Sequence, residues 1–156
     1  MTPPSVPFLY RAFFLYIEPI SALAGAFYAA FRQDDYLKDL TFSSQLTHTV
    51  LPTQTNMALL QLANLYLLFA LNEHFVLSST TSIVTWKKLL IGLLVADFGH
   101  LITMAPAGMA VFWKFWEWNA MMWGSVGFVY AGATMRICFL SDVGLDRIPK
   151  GKGKRQ

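Results

Sequence analysis

Asp97 and His100 are the residues whose types and spacing point most directly to chemistry. They stand three positions apart in the apolar run Leu89–Met104, so on a helix they share one face. An ionised carboxylate in the hydrocarbon layer of a membrane costs about 2.5–3.5 kcal/mol even on the lower scales. A helix that carries this pair must therefore turn it toward another helix, a water-filled cavity or a ligand.

A second acid, Glu18, lies inside the apolar run Phe8–Phe31 and is followed by small residues at steps of four. Small residues let two helices approach closely, so Glu18 is expected to point into a helix contact and away from lipid. A protonated buried acid beside a base can move protons on an apolar substrate. Glu18, Asp97 and His100 are therefore the predicted catalytic residues.

The composition predicts a membrane protein. The 156 residues are 55% hydrophobic and only 13% charged, whereas soluble domains have about 25% charged residues. The predicted fold is all-α, an integral membrane bundle of four antiparallel transmembrane helices, with a loop over residues 32–55. A crossing needs roughly 20 apolar residues, and the predicted transmembrane helices cover residues 8–31, 56–77, 87–104 and 119–140.

Residues 1–142 are predicted to form one domain, and residues 143–156 a basic tail. The excess of lysine and arginine on one side of the predicted bundle places both termini in the cytosol. Lys152 and Lys154, fifth and third from the end, resemble the dilysine address of the endoplasmic reticulum. No positive charge precedes the first apolar run, so no cleaved signal peptide is expected. No nucleic-acid partner is predicted, because no basic or aromatic surface module accompanies the tail.

Depth along the predicted helices adds four candidate contacts to the catalytic group. Two fall near mid-membrane beside Asp97, and two fall toward the lumenal end. They are predicted to bind substrate by shaping a pocket and stabilising positive charge. These predicted substrate-binding residues are Asn64, Asn119, Trp123 and Tyr130.

Glu73 and Arg136 fall together nearer the cytosolic end and are predicted to form a structural ion pair. For the central group, interhelical contact and a functional pocket both stay open, because ionisable groups inside a membrane serve either purpose. No metal site is predicted, because Asp97 and His100 offer only two ligands and Cys138 is the single cysteine.

Several phrases of the sequence are distinctive: FLYIEP at residues 14–19, ADFGH at 96–100, WN at 118–119 and WGSVGFVY at 123–130. They resemble a family of small fungal four-helix membrane proteins of unknown function. The resemblance implies a fungal source, four transmembrane helices and, for some members, a place in secondary-metabolite biosynthesis. It supplies no established catalytic residues.

Two weaker likenesses bear on mechanism. The four-helix, lysine-tailed layout is similar to the emopamil-binding-protein class, which includes sterol isomerases and sterol-binding proteins, although no motif is shared. Fungal membrane terpene cyclases also use intramembrane acids, but they are longer and have more transmembrane helices. Both likenesses concern architecture and chemistry, and neither assigns a role to a residue of this chain.

The favoured hypothesis is an endoplasmic-reticulum membrane protein that acts on a lipophilic small molecule such as a terpenoid or polyketide intermediate. It would catalyse an isomerisation or cyclisation without a cofactor, with Asp97 or Glu18 as the acid and His100 as the base or as a residue that orients the acid. The alternative is a non-catalytic sterol- or lipid-binding protein, or a scaffold for other pathway enzymes. Both hypotheses imply that the protein is embedded in a lipid bilayer.

Overall fold

The computed structural model describes residues 6–40 and 51–145. These residues form five helices joined by turns and contain no strand, so the prediction of an all-helical fold is confirmed for them. Lys152 and Lys154, on which the predicted address depends, lie outside the described residues. The helices are α1 Phe8–Phe31, α2 Gln33–Asp39, α3 Thr53–Ser78, α4 Ile83–Met104 and α5 at residues 120–140.

Two segments of the described chain, Phe8–Phe31 and Ile83–Ala107, are long and apolar enough to cross a membrane. The second consists of α4 and the 3-10 turn that follows it. Helix α3 has 26 residues, but amides and the Glu73 carboxylate lower its hydropathy. In α5, glycines and Arg136 have the same effect. Length and composition therefore support two of the four predicted crossings.

The first residues of α3 and α4 differ by a few positions from the predicted ones. Helix α3 begins at Thr53, directly after Pro52, whose carbonyl oxygen accepts a hydrogen bond from the Asn56 amide at 3.1 Å. Helix α4 begins at Ile83, because the Ser82 hydroxyl accepts a hydrogen bond from the Thr85 amide at 3.3 Å. Helix α2 lies inside the predicted loop over residues 32–55, which is a correction. Two aspartates in its first turn suit the positive end of the helix dipole.

Helices α1 and α5 each contain a five-residue π-helical segment, Phe13–Ile17 and Trp123–Gly127. A π segment inserts one extra residue into a helix and is frequent at functional sites. The first directly precedes Glu18, which is followed by Pro19, a residue without a backbone N–H. Each π segment therefore rotates the part of its helix that follows it and changes the directions in which those side chains point.

The helices pack as antiparallel pairs, α1 against α3 and α4 against α5. An aromatic cluster that includes Phe14, Trp86 and Phe139 fills the end of the bundle where α1 begins and α5 ends. A second cluster, which includes Ala29 and Tyr36, joins α1, α2 and α3 at the other end. The buried charged side chains lie between these apolar ends.

Candidate functional site

Arg136 of α5 is fully buried and binds carboxylates from three other helices. Its Nη1 donates to Asp97 Oδ2 at 2.6 Å, and its Nη2 donates to Glu18 Oε1 at 2.5 Å. The same Nη2 lies 3.6 Å from Glu73 Oε1. We call Glu18, Glu73, Asp97 and Arg136 the ion cluster. Because its members come from α1, α3, α4 and α5, the ion cluster links the four long helices at one point.

The ion cluster unites two groups that the sequence predicts to be separate. Glu73 and Arg136 are predicted to lie nearer the cytosolic end, away from Glu18 and Asp97. In a helix the Cα–Cβ bonds tilt toward the N-terminus, and α3 and α5 run opposite to α1 and α4. Their side chains therefore lean back toward the middle of the bundle. The depth of the Cα atoms does not include this tilt of the side chains. The prediction that Glu73 and Arg136 lie apart from Glu18 and Asp97 is therefore corrected.

The ion cluster contains more acid than base. If every carboxyl were ionised, three negative charges would face one guanidinium, and burying unpaired charge costs several kcal/mol per ion. Within the described residues, Glu18 Oε2 and both Glu73 oxygens are buried without a hydrogen-bond partner. At least one carboxyl group of the cluster is therefore expected to stay protonated, and its proton is exchangeable.

Aromatic rings surround the guanidinium of Arg136. Its Cζ lies 5.7 Å from the centre of the Phe14 ring and 6.0 Å from that of Phe69. A cation over an aromatic face is attracted by the ring quadrupole, more strongly where water is excluded. These rings help to hold the positive charge inside the bundle and keep the ion cluster in surroundings of low polarity.

Gly132 is the position that leaves room for the ion cluster. A Cβ atom at Gly132 would lie 2.8 Å from Arg136 Nη1 and 3.2 Å from Glu18 Oε1. Gly132→Ala is therefore expected to lower the free energy of unfolding by about 1–3 kcal/mol, as overpacking does in a buried core. Thermal unfolding of the purified protein in lipid nanodiscs measures the change.

Gly99→Ala is the matched control for this substitution, because a Cβ at Gly99 meets nothing within 4 Å. Alanine is the better helix former by about 1 kcal/mol, so this control should be neutral or stabilising. Equal behaviour of the two alanine variants would contradict the steric role of Gly132.

A cavity of about 520 Å³ adjoins the ion cluster. Glu18, Asp97 and His100 form part of its wall, while alanines, glycines and aromatic rings supply most of the remainder. Among the described residues that line it there is no lysine or arginine. The cavity is therefore apolar over most of its surface and acidic where it meets the cluster. Its lining also includes Gly25, Tyr28, Tyr36, Asp39, Tyr66 and Phe69.

The contact of His100 defines which ring nitrogen carries a proton. Its Nε2 lies 2.9 Å from the carbonyl oxygen of Ser125. A carbonyl only accepts hydrogen bonds, so Nε2 donates and Nδ1 carries the lone pair of the neutral ring. Ser125 belongs to the π segment of α5. His100 is therefore held against that segment with one nitrogen left to act as a base.

His74 makes a similar contact on the other side of the bundle. Its Nδ1 lies 2.7 Å from the carbonyl oxygen of Leu15, in the π segment of α1. In a regular α-helix this carbonyl would accept from the N–H of Pro19, which proline does not have. His74 thus satisfies a backbone group that the sequence itself leaves without a donor, and its role is structural.

The four predicted substrate-binding residues lie elsewhere, and none of them is among the described residues that line the cavity. Asn64 is exposed on α3. Trp123 packs edge-on against Trp118, with ring centres 5.0 Å apart. The predictions considered only depth along the helices, whereas the angular positions of these side chains around α3 and α5 turn them away from the cavity.

Asn119 and Tyr130 have structural contacts in place of a cavity contact. The Asn119 side chain accepts from the Met122 amide at 2.8 Å, which caps α5, and donates to the Asp39 carbonyl at 2.8 Å. The Tyr130 hydroxyl donates to the Phe112 carbonyl at 3.1 Å. Asn119 therefore joins the start of α5 to α2, and Tyr130 holds the connection between α4 and α5. Any binding role for these two residues stays a prediction.

Sequence reasoning missed the tyrosines of the cavity. Tyr36 lies on α2, within the stretch predicted to be a loop. Tyr66 lies on α3, seven residues before Glu73. A spacing of seven returns to the same face of a helix, so the spacing from Tyr66 to Glu73 could have indicated that both side chains lie on one face of α3.

The fold and the site define an all-helical protein with two segments able to cross a membrane, built around a buried ion cluster beside an apolar cavity. The chain belongs to the family DUF7704, a domain of unknown function whose model matches residues 4–146. No curated protein and no solved structure matches it. The predicted membership of an uncharacterised family is thus confirmed, whereas a fungal source and a likeness to sterol isomerases stay predictions.

Proposed function

We propose that α1, α3, α4 and α5 all cross a membrane. The support is an inverted distribution of polarity: the charged ion cluster is buried, and large apolar side chains are exposed. Soluble proteins almost never bury charged residues fully and rarely expose large apolar patches. Exposed apolar residues of this kind on α1 and α4 are Ile20, Phe27, Val95, Phe98 and Ile102.

Helices α3 and α5 are part of the same proposal, although their own hydropathy is lower. Glu73 and Arg136, the most costly residues of these helices in lipid, pair inside the bundle, so that cost is reduced. Four crossings place both termini on one side. The distribution of basic residues makes this side the cytosol, and residence in the endoplasmic reticulum remains part of the proposal.

The topology can be measured with glycosylation tags. An acceptor site inserted at Gly108, in the connection between α4 and α5, is expected to be glycosylated because this connection would face the lumen. Acceptor sites fused to either terminus should stay unmodified. Glycosylation at one terminus, or its absence at Gly108 in a correctly inserted protein, would contradict the four-helix topology.

We propose further that the cavity binds a lipophilic small molecule and that the ion cluster exchanges a proton with it. One observation carries this proposal: Glu18 lines the cavity, binds Arg136 through Oε1, and leaves Oε2 unpartnered within the described residues. In this proposal the proton passes to the ligand from a carboxyl group of the cavity wall, that of Glu18 or that of Asp97. Arg136 then stabilises the carboxylate that remains, as preorganised charges do in catalysis.

The reaction class that fits this arrangement is isomerisation or cyclisation without a cofactor. The acid gives a proton to one carbon of a double bond, and the cation that forms is shielded by the aromatic lining. His100 Nδ1 then removes a proton from a neighbouring carbon, and the electrons of that C–H bond form the new double bond. The ligand neither gains nor loses atoms, and the protein returns to its starting charge once a proton moves back to the acid.

Deuterium transfer tests the proposal without knowledge of the substrate. The purified protein in nanodiscs is incubated in D2O with the total apolar lipid extract of the cells that produce it. The expected result is one lipid that gains a single deuterium only when the wild-type protein is present, detected by mass spectrometry. If no lipid gains deuterium in this way, the proton-transfer function is excluded.

A non-catalytic lipid-binding protein is the second candidate, and one observation favours it. Glu18 and Asp97 each direct one oxygen to Arg136, so the ion cluster already serves to hold the helices together. The cavity beside it would then bind a ligand without chemistry. The same experiment separates the candidates, because a bound lipid that purifies with the protein and never gains deuterium identifies a binding protein.

A further inference from the structure

The hydroxyls of Tyr36 and Tyr66 lie 3.2 Å apart, and both side chains line the cavity. One hydroxyl donates to the other, so the accepting hydroxyl keeps its own proton. Within the described residues, neither hydroxyl has another hydrogen-bond partner. Burial raises the pKa of Tyr36 above that of a free phenol, so this phenol stays protonated. The pair therefore offers one unused donor to the cavity.

The phenol pair and the ion cluster lie at different levels of the bundle. Tyr66 precedes Glu73 by seven residues on α3, which corresponds to about 10 Å along a helix that rises 1.5 Å per residue. On α1, Gly25 faces the Tyr66 ring, from which a Cβ would lie 3.5 Å away, and Gly25 is seven residues after Glu18. Two helices thus give the same separation between the phenols and the acids.

We propose that Tyr36 and Tyr66 form a second subsite of the cavity, which donates a hydrogen bond to a single oxygen atom of an elongated, uncharged lipophile. The reacting carbon of this lipophile lies at the ion cluster, about 10 Å away, which is the rise of a helix over seven residues. The inference rests on the proposed function, because the cluster supplies the reacting end. It names the ligand class: a mainly hydrocarbon molecule with a hydroxyl, ether or ketone oxygen at one end.

The acids of the cavity wall restrict this class further. Glu18 and Asp97 line one end, Asp39 lines the cavity as well, and no lysine or arginine is among the described lining residues. A carboxylate or phosphate ligand would meet like charge without a compensating cation in surroundings of low polarity. Fatty-acid and phospholipid head groups are therefore excluded from the proposed class.

Three probes of equal chain length test the subsite: dodecyl methyl ether, tetradecane and tetradecanoate. Retention of each isotope-labelled probe is measured on protein in nanodiscs and corrected for empty nanodiscs. The wild-type protein is expected to bind the ether roughly 3- to 10-fold more tightly than the alkane, the size of one neutral hydrogen bond. Tetradecanoate is expected to bind more weakly than either.

The Tyr36→Phe, Tyr66→Phe double variant should lose the preference for the ether and keep its affinity for tetradecane. Removing both partners of a buried hydrogen bond while keeping both rings is nearly neutral for folding, so tetradecane also reports an intact cavity. Tyr16→Phe is the matched control, since Tyr16 is exposed on α1 and is not among the lining residues. It should leave all three affinities unchanged.

The outcomes for the subsite and for the proposed function are separable. An equal affinity of wild-type protein for ether and alkane, or a preference that survives in the double variant, overturns the subsite even if deuterium transfer is observed. A preference that the double variant abolishes supports the subsite even if no lipid gains deuterium, in which case the proton-transfer function alone is lost. If the wild-type protein retains none of the probes, the subsite is overturned.

Discussion

Arg136→Met is expected to lower the free energy of unfolding by about 3–5 kcal/mol, because it leaves three buried acids without their cation. Arg136 is fully buried and lies within 3.6 Å of Glu18, Glu73 and Asp97. Methionine fills similar space but neutralises nothing. The carboxyls must then take up protons or draw water into the bundle, and either response weakens the contact between the four long helices.

The measurement is thermal unfolding in nanodiscs, combined with a compensated variant. Neutral groups in place of a whole buried ion network are often tolerated. Adding Glu18→Gln, Glu73→Gln and Asp97→Asn to Arg136→Met should therefore recover most of the lost stability. Lys87→Met is the control, since Lys87 pairs with Asp142 at the surface and such pairs contribute about 0–1 kcal/mol. An Arg136→Met effect no larger than that of Lys87→Met would refute the central role of the cluster.

Removal of the proton-donating acid, by Glu18→Gln or by Asp97→Asn, is expected to reduce deuterium transfer by about 10²-fold or more, the scale of general acid–base catalysis. Both amides keep the shape of the acid, and the loss of one hydrogen bond changes the unfolding free energy by about 1 kcal/mol. Folding should therefore survive while the exchangeable proton at the cavity wall is lost. His100→Gln should reduce transfer similarly, because it removes the proposed base.

Glu73→Gln is the control that distinguishes the loss of a proton donor from a change in the charge of the ion cluster. It removes one carboxyl from the same ion cluster, but Glu73 is not among the described residues that line the cavity. Deuterium transfer by Glu73→Gln should stay within a few-fold of wild type. Equal losses in all three acid variants would indicate an electrostatic effect of the whole cluster. Full transfer by both Glu18→Gln and Asp97→Asn would exclude these acids as proton donors.

The amino-acid sequence by itself determined the helical class and the approximate position of each long helix. Apolar runs separated by turn residues are enough for this, because each helix satisfies its own backbone hydrogen bonds. The sequence also indicated that Glu18 and Asp97 would turn away from lipid if their helices cross a membrane, since the cost of exposing a charge to hydrocarbon arises at each residue separately. These conclusions need no knowledge of how the helices are arranged.

Only the tertiary structure decided that the acids and Arg136 meet at one point and that tyrosines complete the cavity. Each π segment adds one residue, which turns the following part of its helix by roughly 100°, and a regular 3.6-residue pattern does not contain that rotation. The tilt of side chains toward helix N-termini then brought Glu73 and Arg136 to the level of Glu18. Tyr36 reached the cavity through α2, a short helix whose buried face is set by tertiary packing more than by helix propensity.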